Sequence, residues 1–78
     1  MKELVQFLAK SLVNHPEAVE VKETQGETAS VLELKVAKED LGRIIGKQGR
    51  TANSIRTILN AAASRANRKV VLEIIEEK

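Results

Sequence analysis

Apolar residues recur along this chain at two different periods, and each change of period marks a new element. From Lys2 to Val13 they fall at Leu4, Val5, Leu8 and Leu12, the stripe of an amphipathic helix. Asn14-His15-Pro16 predicts its end, because Asn tolerates a left-handed cap and Pro cannot continue a helix. The period then falls to two. Val19 to Thr24 alternates and reads as a half-exposed strand. Gln25-Gly26-Glu27 predicts a turn, with Gly26 able to take positive φ. Ala29 to Val36 follows, with Leu32, Leu34 and Val36 on one face and Glu33 and Lys35 on the other. The two runs predict an antiparallel hairpin.

Helical spacing then returns. Lys38 to Ile45 predicts a short helix whose start carries Glu39 and Asp40, acids that suit a helix N-terminus. After Gly46-Lys47-Gln48-Gly49, the residues Ile55, Ile58, Leu59, Ala62, Ala63 and Ala66 form the clearest helical stripe in the chain, from about Arg50 to Asn67. Val70 to Ile75 is β-branched and predicts a closing strand. The order α-β-β-α-α-β predicts an α+β two-layer sandwich, a three-stranded sheet with the helices packed on one face. No linker, internal repeat or low-complexity tract interrupts it, and 78 residues leave room for one domain, spanning residues 1–78.

Composition removes several functions. Cysteine is absent, which excludes a disulfide framework, a thiolate metal site and a cysteine nucleophile. One Phe with no Tyr or Trp argues against domains that stack bases on aromatic platforms. No apolar run approaches the ~20 residues of a membrane span, and the charged opening Met1-Lys2-Glu3 is unlike a secretory signal, so the expected compartment is the cytoplasm. The formal net charge of +2 conceals an asymmetry. Between Leu41 and Leu72 stand seven basic residues and no acidic one, whereas the remainder carries six basic and eleven acidic. A polyanion partner and a solvated basic helix face both account for such a distribution.

The tetrapeptide Gly46-Lys47-Gln48-Gly49 joins two predicted helices. Glycine lets the backbone turn tightly and lets another backbone approach closely. The helix that follows contributes unpaired N–H groups and the positive end of its dipole. With Lys47 in the turn and Arg50 after it, the segment predicts a cradle for phosphates. A nucleotide-binding P-loop does not fit. Gly42 and Gly46 are separated by three residues where that motif needs four, and Gln48 stands where its hydroxyl belongs.

The run from Gly42 to Arg56, containing Ile44-Ile45-Gly46-Lys47-Gln48-Gly49 and an apolar Ile55 six positions after Gly49, resembles the core of the K-homology (KH) family. The element order resembles its type II form, and the likeness extends over almost the whole chain, as in bacterial single-KH proteins. It departs from many relatives at Asn53-Ser54, where a basic residue is expected. The resemblance implies a non-enzymatic protein that clamps about four single-stranded nucleotides with a G-x-x-G loop. Carried onto this chain, Gly46 and Gly49 would admit the RNA backbone, Lys47 would supply a charge-assisted phosphate contact, Gln48 a neutral hydrogen bond, and Arg50 and Arg56 would extend the basic edge. Ile45 would be the best candidate for an apolar groove, with the hairpin's second strand behind it. The family also implies homodimers, a larger RNA-binding partner, RNA-chaperone or post-transcriptional activity, and a part in cell-shape and cell-wall homeostasis. No cofactor and no small-molecule substrate is expected.

Other readings stay open at this stage. One is an interaction or dimerisation module with vestigial nucleic-acid binding, to which Ala61-Ala62-Ala63 would lend a close-packing face. Another is a single-stranded DNA binder. A catalytic constellation is not visible: His15 is the sole histidine and has no visible acid–base partner, and Glu39 and Asp40 diverge on a helix. Ile44, Ile55, Ile58 and Leu59 are expected in the core. Arg65, Arg68 and Lys69 are expected as solvated charges at a helix end, and Phe7 as a packed or partner-facing residue.

Overall fold

A computed structural model describes residues 1–76. Helix α1 (Lys2–Leu12) leads through a short turn to strand β1 (Glu20–Gln25) and strand β2 (Ala29–Val36). Helix α2 (Leu41–Ile45), helix α3 (Arg50–Arg65) and strand β3 (Lys69–Glu76) complete the order α-β-β-α-α-β of a type II KH domain.

The sheet runs β1-β2-β3. The predicted hairpin is antiparallel, with Val21 opposite Leu34 and Glu23 opposite Leu32. The closing strand adds in parallel on the other side of β2, with Ala29 opposite Lys69 and Leu32 opposite Leu72. Alternation sorts the two faces, as the period of a strand requires. Ser30, Leu32, Leu34 and Val36 of β2 are all buried, whereas Val31, Glu33 and Lys35 between them are partly exposed. Val21 of β1 and Val70 and Leu72 of β3 join the buried face. The helices cover it with Val5 and Ala9 of α1, Ile44 of α2, and Ala52, Ile55, Leu59 and Ala63 of α3. Burying each large aliphatic side chain of this layer contributes about 1.5–3 kcal/mol.

Several local expectations need correction. The helix predicted from Lys38 begins as a 3-10 turn over Lys38–Asp40, and only Leu41–Ile45 is α-helical. Gly26 does not use positive φ; its N–H closes the hairpin turn on the Ala29 carbonyl at 2.7 Å. Ile58 is not core but 45% exposed, because the α3 face that meets the sheet is centred on Ala52, Ile55, Leu59 and Ala63. Phe7 is 68% exposed, which leaves the partner-facing half of its expectation. Arg68 is no solvated charge. Its Nη2 donates to the Gly26 carbonyl at 3.0 Å and to Ser30 Oγ at 3.1 Å, tying the end of α3 to the hairpin turn.

Candidate nucleic-acid interface

Helix α2 is too short to hold its own position, and its N-terminal end is held from outside. Asp40, just before it, is 1% exposed. The Asp40 carboxylate accepts the backbone N–H groups of Asn14 at 3.1 Å and His15 at 2.9 Å, and its Oδ2 lies 3.0 Å from His15 Nδ1. Arg43 Nε adds a looser ion pair at 3.9 Å. Burial opposes the charge on Asp40, but the Asn14 N–H, the His15 imidazole and the His15 N–H together hold its carboxyl below the ordinary value. The Asp40 hydrogen bond, then its charge, raises the His15 imidazole above its own ordinary value, and Glu17 and Glu39 add to the rise. His15 therefore does have an acidic partner. It lies 25 residues away in the chain, beyond the reach of local pattern.

At the C-terminal end, α2 closes with the Gly46 N–H on the Gly42 carbonyl at 2.8 Å, and the backbone then leaves helical space. Gly46 has φ 77°, Gln48 φ 58° and Gly49 φ 76°, so three of the four loop residues have positive φ, Gly46 with an extended ψ of 174° and Gln48 and Gly49 in the left-handed helical region. An ordinary residue in that region costs about 1–2 kcal/mol, a cost that Gln48 bears and the glycines avoid. The two glycines differ in a second respect. A Cβ on Gly46 would run into the Thr51 side chain, whereas one on Gly49 would find its nearest neighbour at 3.9 Å, the Asn53 amide. Gly46 is thus required by both conformation and space, Gly49 by conformation.

The loop projects Lys47 and Gln48 into solvent. Arg50 opens α3 and reaches Gln48 Oε1 from Nη2 at 3.5 Å. Arg56 lies further along α3, its Nη1 3.4 Å from Asn53 Oδ1. Among the described residues no carboxylate lies within ion-pair distance of Lys47, Arg50 or Arg56. No side chain caps the start of α3 either, so its first-turn N–H groups stand beside these cations. Positive dipole end, backbone donors and three cations converge on one edge, an arrangement suited to a polyanion. Ile45, 38% exposed at the end of α2, adds an apolar surface next to it.

Strand β2 is central and both its edges are occupied. The open edge on the α3 side belongs to β3. A cavity of about 170 Å³ lies between them, lined by Arg56, Leu59 and Asn60 of α3 and Val70, Val71 and Leu72 of β3. Lys69 donates its N–H to the Thr28 carbonyl at 3.0 Å. In a parallel ladder alternate residues turn both backbone groups to the same neighbour, so Lys69 and Val71 face β2 while Val70 and Leu72 turn N–H and C=O to the open edge. This cavity was not foreseeable, because the parallel addition of β3 to β2 leaves no mark in local periodicity.

The sequence model of the KhpA/KhpB KH domain matches residues 2–74. The RNA-binding protein KhpA of Clostridium perfringens is 60% identical over 75 residues, covering 96% of this chain and 100% of the relative. The proteins of that name from Clostridium acetobutylicum and Chlamydia pneumoniae are 56% and 54% identical, covering 96% and 100% of this chain and the whole of each relative. No solved structure matches the chain.

Proposed function

The chain belongs to the KhpA/KhpB KH-domain family, and from that premise we propose that it is a non-enzymatic RNA-binding protein, a single KH domain that clamps short single-stranded RNA with the loop Gly46–Gly49. The observation that carries this reading is the loop itself: glycines of positive φ on either side of an exposed Lys47, with Arg50 and Arg56 nearby and, among the described residues, no carboxylate within ion-pair distance of them. In this reading Gly46 and Gly49 admit the sugar–phosphate backbone and Lys47 contacts a phosphate as a point charge. Gln48 supplies a neutral hydrogen bond, and Arg50 and Arg56 continue the track. Bases turn inward to Ile45 and the cavity between α3 and β3, where aliphatic walls hold them without aromatic stacking.

Family membership supports extending the reading to RNA-chaperone or post-transcriptional regulation, with a part in cell-shape and cell-wall homeostasis. A module of this footprint binds weakly alone and gains from duplication through effective concentration. We therefore propose a homodimer and/or a complex with a larger RNA-binding protein resembling KhpB, acting in the cytoplasm. The exposed Phe7 and Ile58 on the helical layer support an association face there. Sedimentation of Ile58→Glu checks it: a shift of the wild-type dimer to monomer is expected, and an unchanged sedimentation coefficient removes Ile58 from the face.

Anisotropy titration of a labelled mixed-sequence single-stranded RNA tests the loop. The wild type is expected to bind with a slope of roughly −1.4 to −2.8 in log K against log salt, the value for about two to four phosphates. Lys47→Asp with Gln48→Asp is expected to abolish that binding while the circular dichroism spectrum stays the same. Equal binding by the folded double variant would remove the loop from the site. A single-stranded DNA of the same sequence, titrated alongside, distinguishes RNA from DNA as the preferred strand.

A further inference from the structure

We propose that His15 and Asp40 position the RNA-binding loop through α2, and that RNA affinity falls as His15 gives up its proton; the inference rests on the RNA-binding reading above. Among the described residues Asp40 is the one buried charge. It stands at the far end of α2 from the loop glycines, so contact with RNA does not account for it. A carboxylate out of water persists only where partners compensate its charge. Two of its partners, the N–H groups of Asn14 and His15, are fixed backbone donors at 3.1 and 2.9 Å. The third, the His15 imidazole at 3.0 Å, is a group whose charge changes near neutral pH.

The pair is placed where it reaches the loop. Helix α2 has five residues, about 7.5 Å of helix at the usual rise. Ile44 alone among them is fully buried, so the helix is held by one core side chain and by the carboxylate before it. Its other end passes directly into the loop, the Gly46 N–H bonding back to the Gly42 carbonyl at 2.8 Å. A shift at Asp40 therefore carries to Gly46 and Lys47 with little between to absorb it. Three charged groups face the pair: Glu17 of the turn Pro16–Ala18, Glu39 of the turn Lys38–Asp40, and Arg43 of α2, whose Nε lies 3.9 Å from Asp40 Oδ1. Among the described residues α1 and the sheet bring no further opposite charge within ion-pair distance of either member. The Asp40 hydrogen bond and charge, with smaller help from Glu17 and Glu39, hold His15 in its charged form to a higher pH than usual. When the proton leaves, Asp40 keeps its backbone donors and the looser Arg43 but loses its nearest cation, and the hold on α2 slackens. RNA selects the loop in its held position, so binding and protonation favour each other, as linkage requires.

The test has two readouts. Amide NMR spectra of the free protein follow Gly46 and Gly49 from about pH 5.5 to about pH 8.5, the range in which a raised imidazole titrates. Their resonances are expected to move with the His15 midpoint in wild type and to stay fixed in His15→Gln. Anisotropy titrations of a labelled mixed-sequence single-stranded RNA follow affinity over the same range. Wild type is expected to bind about fivefold more weakly at the alkaline end, the lower limit of typical coupling between two sites. His15→Gln, which cannot take the charge, is expected to bind at that weaker level throughout. His15→Lys, charged throughout, is expected to restore the tighter level at every pH. His15 is half-exposed, so these substitutions leave the core intact. The change is expected to keep its size at two salt concentrations, whereas direct attraction between His15 and RNA would shrink with salt. Loop resonances that ignore the His15 titration, wild-type affinity independent of pH, a dependence that survives in His15→Gln, or one that vanishes at the higher salt overturns the coupling and leaves the RNA-binding reading standing. Failure of folded wild type to bind RNA at any pH would sink that reading, and this inference with it.

Discussion

The two ends of α2 are built in opposite ways. At one end Asp40 is buried, its carboxylate hydrogen-bonded to Asn14 and His15 from a distant part of the chain. At the other end the chain leaves the helix through residues of positive φ and exposes Lys47 and Gln48. Between these ends stand only five residues, of which Ile44 is buried in the core. The difference teaches how a small domain presents a loop. The anchored end uses polar groups that satisfy one another out of water, and the open end leaves Lys47 and Gln48 exposed to solvent.

The strongest way to break this contrast is at the open end. Gly46→Ala combines a backbone of positive φ with a collision against Thr51, and it is expected to lower RNA affinity tenfold or more, given that about 1.4 kcal/mol is a factor of ten and the backbone term alone is about 1–2 kcal/mol. Gly49→Ala, which meets open space, is expected to weaken binding less. Equal losses in the two titrations would show that space around Gly46 is not what the loop needs.

The anchored end is sharpened by pH. The raised imidazole value means that His15 contributes stability that is complete below its ordinary value of 6.5 and is lost as pH rises through the raised folded value. The lowered carboxyl value means that Asp40 contributes stability present above its ordinary value of 3.8 and lost as pH falls through the lowered folded value. Their joint contribution is therefore greatest between those two ordinary values. Thermal melts of wild type and His15→Ala are expected to differ most in that window and to converge on the alkaline side. A gap independent of pH would mean that His15 acts through packing alone. The smallest effect is expected inside α2, where Gly42 has nothing near the position of an added Cβ. Gly42→Ala is expected to raise stability by about 0.4–1 kcal/mol, read as a higher denaturant midpoint.

What local pattern could reach, it reached. The alternation of Leu32, Leu34 and Val36 names the inner face of β2, and Ile55 and Leu59 name the inner face of α3, because burial imposes a fixed period on each. The glycines of the loop are visible because few other residues adopt their φ. Ile58 fell within the same helical stripe yet is exposed, since a stripe of that width runs past the edge of the surface it covers. Gly26 without positive φ and the 3-10 start at Lys38 were local misses as well, and the remaining omissions are distant contacts. His15 meets Asp40 across 25 residues, and Arg68 meets Gly26 across 42. Which side of β2 the last strand joins is likewise a choice made by tertiary packing and not by the strand's own composition.

That last strand also has a bearing on the order of events in folding. The hairpin forms from neighbours in the chain, but β3 pairs with β2 only after the segment between Ala29 and Lys69 has closed on itself, and such non-local parallel pairing is slow. The loop with Lys47 is synthesised well before β3, whereas the cavity beside α3 has no second wall until β3 docks. A nascent chain consequently carries its basic loop before the cavity beside α3 is complete.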